Sequence, residues 1–244
     1  MIEEMRDIDR LRALVADVAA APTPESRVVY ASAAAPRRAA VFPGAFNPPT
    51  LAHLALATTV RDLGFDVVAF ALATRTIDKE DAAGLALEER LALLAVMAAG
   101  EQRLGALVQN RGLYAEQALA VRSAWPALDD LAFVVGMDKV AQIFEPRYYV
   151  DYDRSLATLF ANARLLVAAR GALDRAALER RLAAAPASRH RERVEWIELD
   201  PRWRDVSASA VRERLGHGDV PDEWLPAVVA RVLRAHPERF SRSP

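Results

Sequence analysis

The sequence predicts an α/β fold, doubly wound, with a mostly parallel sheet and helices on both faces. Three observations carry that expectation. From Ala39 onward short apolar runs alternate with helical patterns. Several of the runs are apolar at every position, as strands covered on both faces are. The chain has 244 residues, 52% of them hydrophobic, which is enough to cover both sides of one sheet.

Taken in order, residues 3–20 repeat apolar side chains at helical spacing (Ile8, Leu11, Leu14, Val15, Val18). A Pro- and Ser-bearing stretch from Ala21 to Arg38 follows, with Val28-Val29-Tyr30 as a short ordered piece. Residues 1–37 therefore read as an N-terminal helical appendage and linker, and residues 38–244 as the main domain. Strands are expected at Ala39–Phe42, Asp66–Ala71, Leu104–Gln109, Leu131–Val135, Arg164–Ala168 and Val194–Leu199. Helices are expected at Thr50–Leu63, Leu87–Ala99, Tyr114–Trp125, Lys139–Phe144, Arg175–Ala184, Ser209–Leu215 and Glu223–Ala235. Gly64 and Gly100 stand where helix C-caps belong. Ligands of such a sheet bind beyond the carboxyl ends of its strands, so those ends are where motifs matter.

Composition narrows the partners. A formal net charge of −1 offers no polyanion-binding surface, so nucleic acid is not expected. The absence of cysteine removes disulfides, thiolate metal sites and cysteine nucleophiles together. Met1 opens an acidic amphipathic stretch rather than a basic leader with an apolar core, and no uncharged run reaches the ~20 residues of a membrane span. The expectation is a cytoplasmic protein without a membrane partner. Arginine is used almost throughout; the only lysines, Lys79 and Lys139, both fall just past expected strands, where an ammonium could reach a phosphate. Codon bias toward arginine leaves the same pattern.

The most informative stretch is Val41–His53, V-F-P-G-A-F-N-P-P-T-L-A-H. An apolar strand end breaks at Pro43-Gly44, turns through Asn47-Pro48-Pro49, and resumes as a helix from Thr50. Gly44 has no Cβ, so a backbone or ligand can approach it, and Pro49 suits a helix start, where no N–H is needed. Strand, tight loop and helix N-terminus together present free N–H groups and a positive dipole end, which is an anion site. Thr50 and His53, at i and i+3, share a face of the first turn.

Gly44-Ala45-Phe46-Asn47-Pro48 followed by Thr50-Leu51-Ala52-His53 resembles the G-x-F-[DN]-P-x-[HT]-x-x-H signature of the α/β phosphodiester-forming nucleotidyltransferases, a Rossmann-like superfamily. Within it the chain is most similar to nicotinamide or nicotinate mononucleotide adenylyltransferase. Three further strand ends fit that resemblance in order. Thr74–Lys79 resembles the family loop whose lysine lies near the reacting phosphates, with Arg90 in the place of the arginine behind it; a polar loop beside a solvated helix face gives the same pattern. Gly136-Met137-Asp138 resembles the family's G-x-D step, whose carboxylate engages ribose hydroxyls, although Gly-x-Asp turns also end strands for capping reasons. Ser207-Ala208-Ser209-Ala210-Val211-Arg212 resembles I-S-S-T-x-x-R, which suits a triphosphate tail; an ordinary serine cap is its plain counterpart. Thr50 takes the place of a histidine, Ala52 of a glycine and Ala208 of a serine. Phe144, Tyr148 and Tyr149 stand where the family usually presents a tryptophan to stack on the pyridine ring.

No Ser-His-acid grouping, P-loop or G-x-G-x-x-G is present, and of the four histidines only His53 follows a phosphate-type loop; His190, His217 and His236 lack metal-ligand spacing. The resemblance implies direct transfer: the 5′-phosphate of a mononucleotide attacks the α-phosphorus of ATP in line and pyrophosphate leaves. A phosphate monoester is already nucleophilic at neutral pH, so alignment and charge stabilisation suffice. On this reading His53, the N–H groups of Gly44, Ala45, Phe46 and Asn47, and Thr50 hold the α- and β-phosphates. Ser207, Ser209 and Arg212 hold the departing pyrophosphate, Lys79 balances charge, and Gly136 and Asp138 receive the ribose. Mg2+ would accompany ATP on its own phosphates, because no carboxylate cluster provides a protein cage. A different phosphate-bearing acceptor, or a nucleotide-binding protein without transfer activity, is compatible with the same motifs.

Overall fold

A computed structural model describes residues 2–75, 84–168 and 175–236, with side chains from Ile8 onward. The elements are α1 (Ile2–Ala20), β1 (Ser26–Ala31), β2 (Arg38–Pro43), α2 (Leu51–Asp62), β3 (Val67–Ala73), α3 (Leu87–Ala99), β4 (Leu104–Gln109), α4 (Tyr114–Ala124), β5 (Asp130–Gly136) and α5 (Met137–Ile143). They continue with α6 (Tyr152–Asn162), β6 (Arg164–Ala168), α7 (Arg175–Ala183), β7 (Val194–Ile197), α8 (Ala208–Gly216) and α9 (Ala227–Ala235). Within the described residues the strands form one sheet in the order β1-β4-β3-β2-β5-β6-β7. Every pairing is parallel except β1 with β4.

The pleat sorts side chains by parity. Ala39 and Val41 of β2 enter one core, Ala40 and Phe42 the other. The first core lies under α4, α5, α6 and α7, with Phe133, Val121, Leu159 and Leu178 at its centre. The second lies under α1, α2 and α3, with Phe70, Val18, Val60 and Leu94. A third, smaller cluster joins α8 and α9 (Val211, Leu215, Val229, Leu233) to Leu85 and Leu93 beside α3. Both faces are thus covered, which is why the strands are apolar at consecutive positions.

Beyond shifts of one to four residues at several element ends, such as α9 starting at Ala227 rather than Glu223, three features differ from the sequence expectation. Val28-Val29-Tyr30 is part of a full strand, β1, so the N-terminal segment supplies the outermost rung of the sheet. Its partner β4 lies far along the chain, and local patterning carries no trace of such a pairing. Helix α6 forms where none is expected; it buries Leu156, Leu159 and Phe160 at the spacing of one helical face. Helix α8 begins one residue earlier than expected, because the Ser207 hydroxyl accepts from the Ala210 N–H at 3.1 Å and makes Ser207 the N-cap.

From β2 the chain winds outward through β3 to β4, then returns to lay β5 on the other side of β2. The order therefore reverses between β2 and β5, and the loops leaving their carboxyl ends diverge around a crevice. Those loops are 43–50 and the turn at Gly136.

Candidate active site

The loop after β2 is built around Phe46. It holds a left-handed φ of 45° and turns its ring into the core, where it meets Phe42 and Phe70 edge-on at 5.4 Å and His53 at 5.0 Å. A Cβ on Gly44 would lie 2.7 Å from that ring, so the glycine is required by Phe46. The space expected beside Gly44 for a backbone or ligand is thus filled by the Phe46 ring, and Phe46 offers the crevice only its backbone, as the sequence reading has it.

His53 is fixed by Thr50. Thr50 caps α2, and its backbone N–H donates to His53 Nδ1 at 3.0 Å while its hydroxyl lies 2.9 Å from the same nitrogen. A backbone N–H can only donate, so Nδ1 is an acceptor and the neutral ring carries its hydrogen on Nε2. Thr50 itself is fully buried. Its hydroxyl is enclosed by the helix turn it caps and lies against His53, so burial sets it apart from the phosphate contact the sequence reading expects.

Two arginines grip the loop by its carbonyls. Arg90 Nη1 donates to Ala45 O at 2.8 Å, and Arg212 Nη1 donates to Asn47 O at 2.6 Å. Burial pulls the Arg90 guanidinium below its usual value, with Glu88 opposing, yet an arginine remains charged at any accessible pH. Arg212 also reaches Ser209 Oγ at 3.2 Å, which brings the N-terminus of α8, capped by Ser207, against the β2 loop. Asn47 adds a third tie: its Oδ1 accepts from the Leu85 N–H at 3.1 Å. Backbone N–H groups, the α8 dipole and two guanidinium groups thus converge on one side of the loop, a combination that stabilises oxyanions. Lys79, with residues 76–83, lies outside the described residues.

On the other side of the loop a cleft opens between β3, α4 and α5. Gly44, Arg75, Tyr114, Gln117, Lys139 and Tyr149 are among the residues that line it. Lys139 Nζ donates to Gln142 Oε1 at 2.8 Å across one turn of α5. The Tyr149 hydroxyl donates to Ile143 O at 2.7 Å, and burial, with Tyr152 nearby, pushes its pKa up to about 12. Burial, reinforced by Asp138 and Tyr149, also raises the Tyr114 hydroxyl, so both phenols are neutral donors in the physiological range. Gly136 ends β5 and is the N-cap of α5, leaving Asp138 exposed in the first turn beside the crevice. Phe144 takes no part in the cleft; it is buried and stacks on Phe160 at 5.9 Å.

The structure brings Arg212 and Ser209 against the β2 loop that leads to His53, and Arg75 of the expected Thr74–Lys79 loop lines the cleft; Tyr114 and Gln117, which line it too, are not singled out from sequence. The strand-end rule would have found the last two: Asn110-Arg111-Gly112 follows β4, and α4 starts directly after. The residues there match no motif, which is why that end draws no notice.

The cytidylyltransferase-like family matches residues 41–214. A comparison of the sequence with curated proteins gives no match. Among solved structures the chain is similar to a Plasmodium falciparum nicotinic acid mononucleotide adenylyltransferase complexed with APC. The identity is 12% and the TM-score 0.57, with 83% of this chain and 98% of that one covered. A Vibrio parahaemolyticus protein described as a nicotinate-nucleotide adenylyltransferase has 18% identity and a TM-score of 0.45, covering 85% and 97%. At such identities the likeness is one of fold. The family match spans the β2 loop, the β5 turn and the start of α8, so the chain belongs to the cytidylyltransferase-like family and is a nucleotidyltransferase.

Proposed function

We propose that the protein transfers the adenylyl group of ATP to the 5′-phosphate of a pyridine mononucleotide, nicotinamide or nicotinate, and releases pyrophosphate. One observation carries the reading: the β2 loop is tied by its carbonyls to Arg90 and Arg212, with Ser209 beside Arg212, and its Gly44 and Ala45 also line an aromatic cleft with Tyr114, Lys139 and Tyr149. A two-substrate transfer needs such an arrangement, because the acceptor oxygen must face the α-phosphorus from the side opposite the leaving group.

ATP is assigned to the oxyanion side. His53 Nε2–H and the N–H groups of residues 45–47 receive the α- and β-phosphates, while Ser207, Ser209 and Arg212 at α8 receive the leaving pyrophosphate. The Gly44 N–H takes no part, because it donates to Ala71 O at 3.1 Å. Lys79 is assigned to the same charge, and Gly136 and Asp138 to the ribose. The acceptor lies in the aromatic cleft with its phosphate directed at the loop. One acceptor oxygen bonds to the α-phosphorus as the bond to the β-bridging oxygen breaks, and the electron pair departs with pyrophosphate. No proton need be removed first. Catalysis is stabilisation of the charge that grows on the leaving oxygens.

Among the described residues no group of three His, Asp or Glu side chains could hold a metal ion. The residues present do not form a cage for Mg2+, so the ion is assigned to ATP's own phosphates and no step is routed through it. No helix among the described residues is long and apolar enough to cross a membrane, and a cytoplasmic setting belongs to the same reading.

The test is to incubate the full chain with ATP, Mg2+ and either mononucleotide, and to follow pyrophosphate together with dinucleotide. Equimolar formation of both supports the reading. ATP binding without pyrophosphate from either acceptor overturns it in favour of another acceptor or a non-catalytic binder.

A further inference from the structure

The carboxyl end of α1 and the chain that follows it carry carbonyls with no partner inside the helix. Side chains from the loops after β3 and β4 serve them instead. Arg75 Nη2 donates to Ala19 O at 3.5 Å, and Arg111 Nη2 donates to Pro22 O at 2.7 Å. Asn110 Nδ2 donates to Ala21 O and Thr23 O, and the Asn110 N–H donates to Glu25 O at 3.2 Å. The same two loops reach the aromatic cleft, where Arg75, Gly112, Leu113 and Tyr114 are part of the lining. Gln117 holds the second loop from within, its Nε2 donating to Arg111 O at 2.9 Å and to Gly112 O at 3.2 Å. Residues 19–25 are therefore clasped to two walls of the cleft from outside. Arg111 is the link next to the wall, one residue before Gly112. Its side chain is only 17% exposed, so the bond to Pro22 O is largely sheltered from water.

Resting on the acceptor reading above, we propose that the N-terminal segment braces the acceptor cleft, and that Arg111 is the positioning residue through which it acts. The wall itself is short: Gly112, Leu113 and the first residue of α4. Leu113 is the N-cap of α4 and makes no side-chain capping bond, so the turn does not hold itself. Its place is set from either side, by Gln117 within and Arg111 without. With Arg111 bonded to Pro22, the wall stands in its binding position before the acceptor arrives. With that bond gone, part of the population holds the wall elsewhere, and apparent acceptor affinity falls with the competent fraction. The oxyanion side is held by other residues, Arg90 and Arg212 on the carbonyls of the β2 loop. ATP is therefore expected to feel little of the change. Helix α1 and strand β1 thus do more than extend the sheet, because they fix a site formed by loops that come later in the chain.

The experiment measures initial rates of pyrophosphate release by the full chain, with ATP and nicotinamide or nicotinate mononucleotide varied in turn. Arg111→Ala is expected to raise KM for the mononucleotide about five- to tenfold, with kcat and KM for ATP within about twofold of wild type. Arg111→Lys still reaches one carbonyl and is expected to raise it only about two- to threefold. That variant keeps the proposal open to test even if Arg111→Ala does not fold. Arg111 Nε also lies 3.5 Å from Glu116 Oε1. Glu116→Gln removes that ion pair and leaves Arg111, so all three constants are expected to stay within about twofold of wild type. Loss of folded protein alone would lower kcat and leave both KM values in place. That result, or equal rises in the two KM values, overturns the assignment while leaving the acceptor reading in place. A rise in mononucleotide KM as large in Glu116→Gln as in Arg111→Ala also overturns it. No transfer by wild type to either mononucleotide overturns both.

Discussion

The guanidinium of Arg212 donates to the main-chain carbonyl of Asn47 at 2.6 Å, joining positions 165 apart in the sequence. Through it the start of α8 is tied to the loop after β2. Arg212→Ala is expected to lower kcat/KM for ATP by about 10²- to 10³-fold, the range for removing one preorganised oxyanion donor. Arg212→Lys keeps the charge but cannot span Asn47 O and Ser209 Oγ together, and should recover only part of the loss. Initial rates of pyrophosphate release at varied ATP check both.

Thr50 tests orientation apart from contact. Thr50→Val removes the hydroxyl that caps α2 and faces His53 Nδ1. A stability loss of about 1–2 kcal/mol is expected in urea unfolding, the usual size of a lost N-cap. Turnover should fall as well, and Thr50→Ser should restore both. His53→Ala should reduce turnover much further with little change in ATP affinity; small, equal effects on the two would sink its assigned role.

Much of this was legible in advance. The β2 run, the Gly136-x-Asp138 turn and the Ser207–Arg212 step carry composition and spacing that local chemistry fixes; the first two lie at strand ends as expected, while the third opens α8 after the 201–203 turn, well past the end of β7 at Ile197. What sequence could not supply was direction. Nothing local distinguishes a Phe46 that faces a ligand from one that turns inward, since a single left-handed residue decides it. Thr50 looks like a phosphate-binding hydroxyl until its complete burial is known.

Gly84 has a φ of +138°, and a Cβ built there would overlap the Asn47 carboxamide. Gly84→Ala is expected to cost about 1–3 kcal/mol through backbone strain and to displace the Leu85 N–H from Asn47. A lowered midpoint of thermal unfolding, accompanied by a loss of activity larger than stability alone explains, is the expected result.

Asn110 is fully buried and holds the N-terminal segment with three hydrogen bonds: from Glu25 N at 2.8 Å, and to Ala21 O and Thr23 O at 3.1 and 2.9 Å. Asn110→Ala orphans all three groups, and a loss of about 2–4 kcal/mol is expected. Limited proteolysis should then cut between α1 and β1 before it cuts elsewhere.

His190 stacks on Phe160 at 4.2 Å, and burial, with Arg189 nearby, lowers its pKa from 6.5. The unfolded chain therefore binds this proton more readily than the folded one. The stability it contributes is present above 6.5 and is lost as pH falls from 6.5 through the lower folded value. His190→Leu should flatten the decline in unfolding midpoint between pH 7.5 and 5.5 relative to wild type.

Strand β1 pairs with β4, and Ser26 stands opposite Gln109. Strand β1 can thus find its place only after β4 has also left the ribosome, with β2 and β3 synthesised in between. Until then its backbone donors and acceptors must be served by water, and α1 has no α3 to rest on. The segment of α1 and β1, made before the strands it joins, is among the later parts of the sheet able to come to rest.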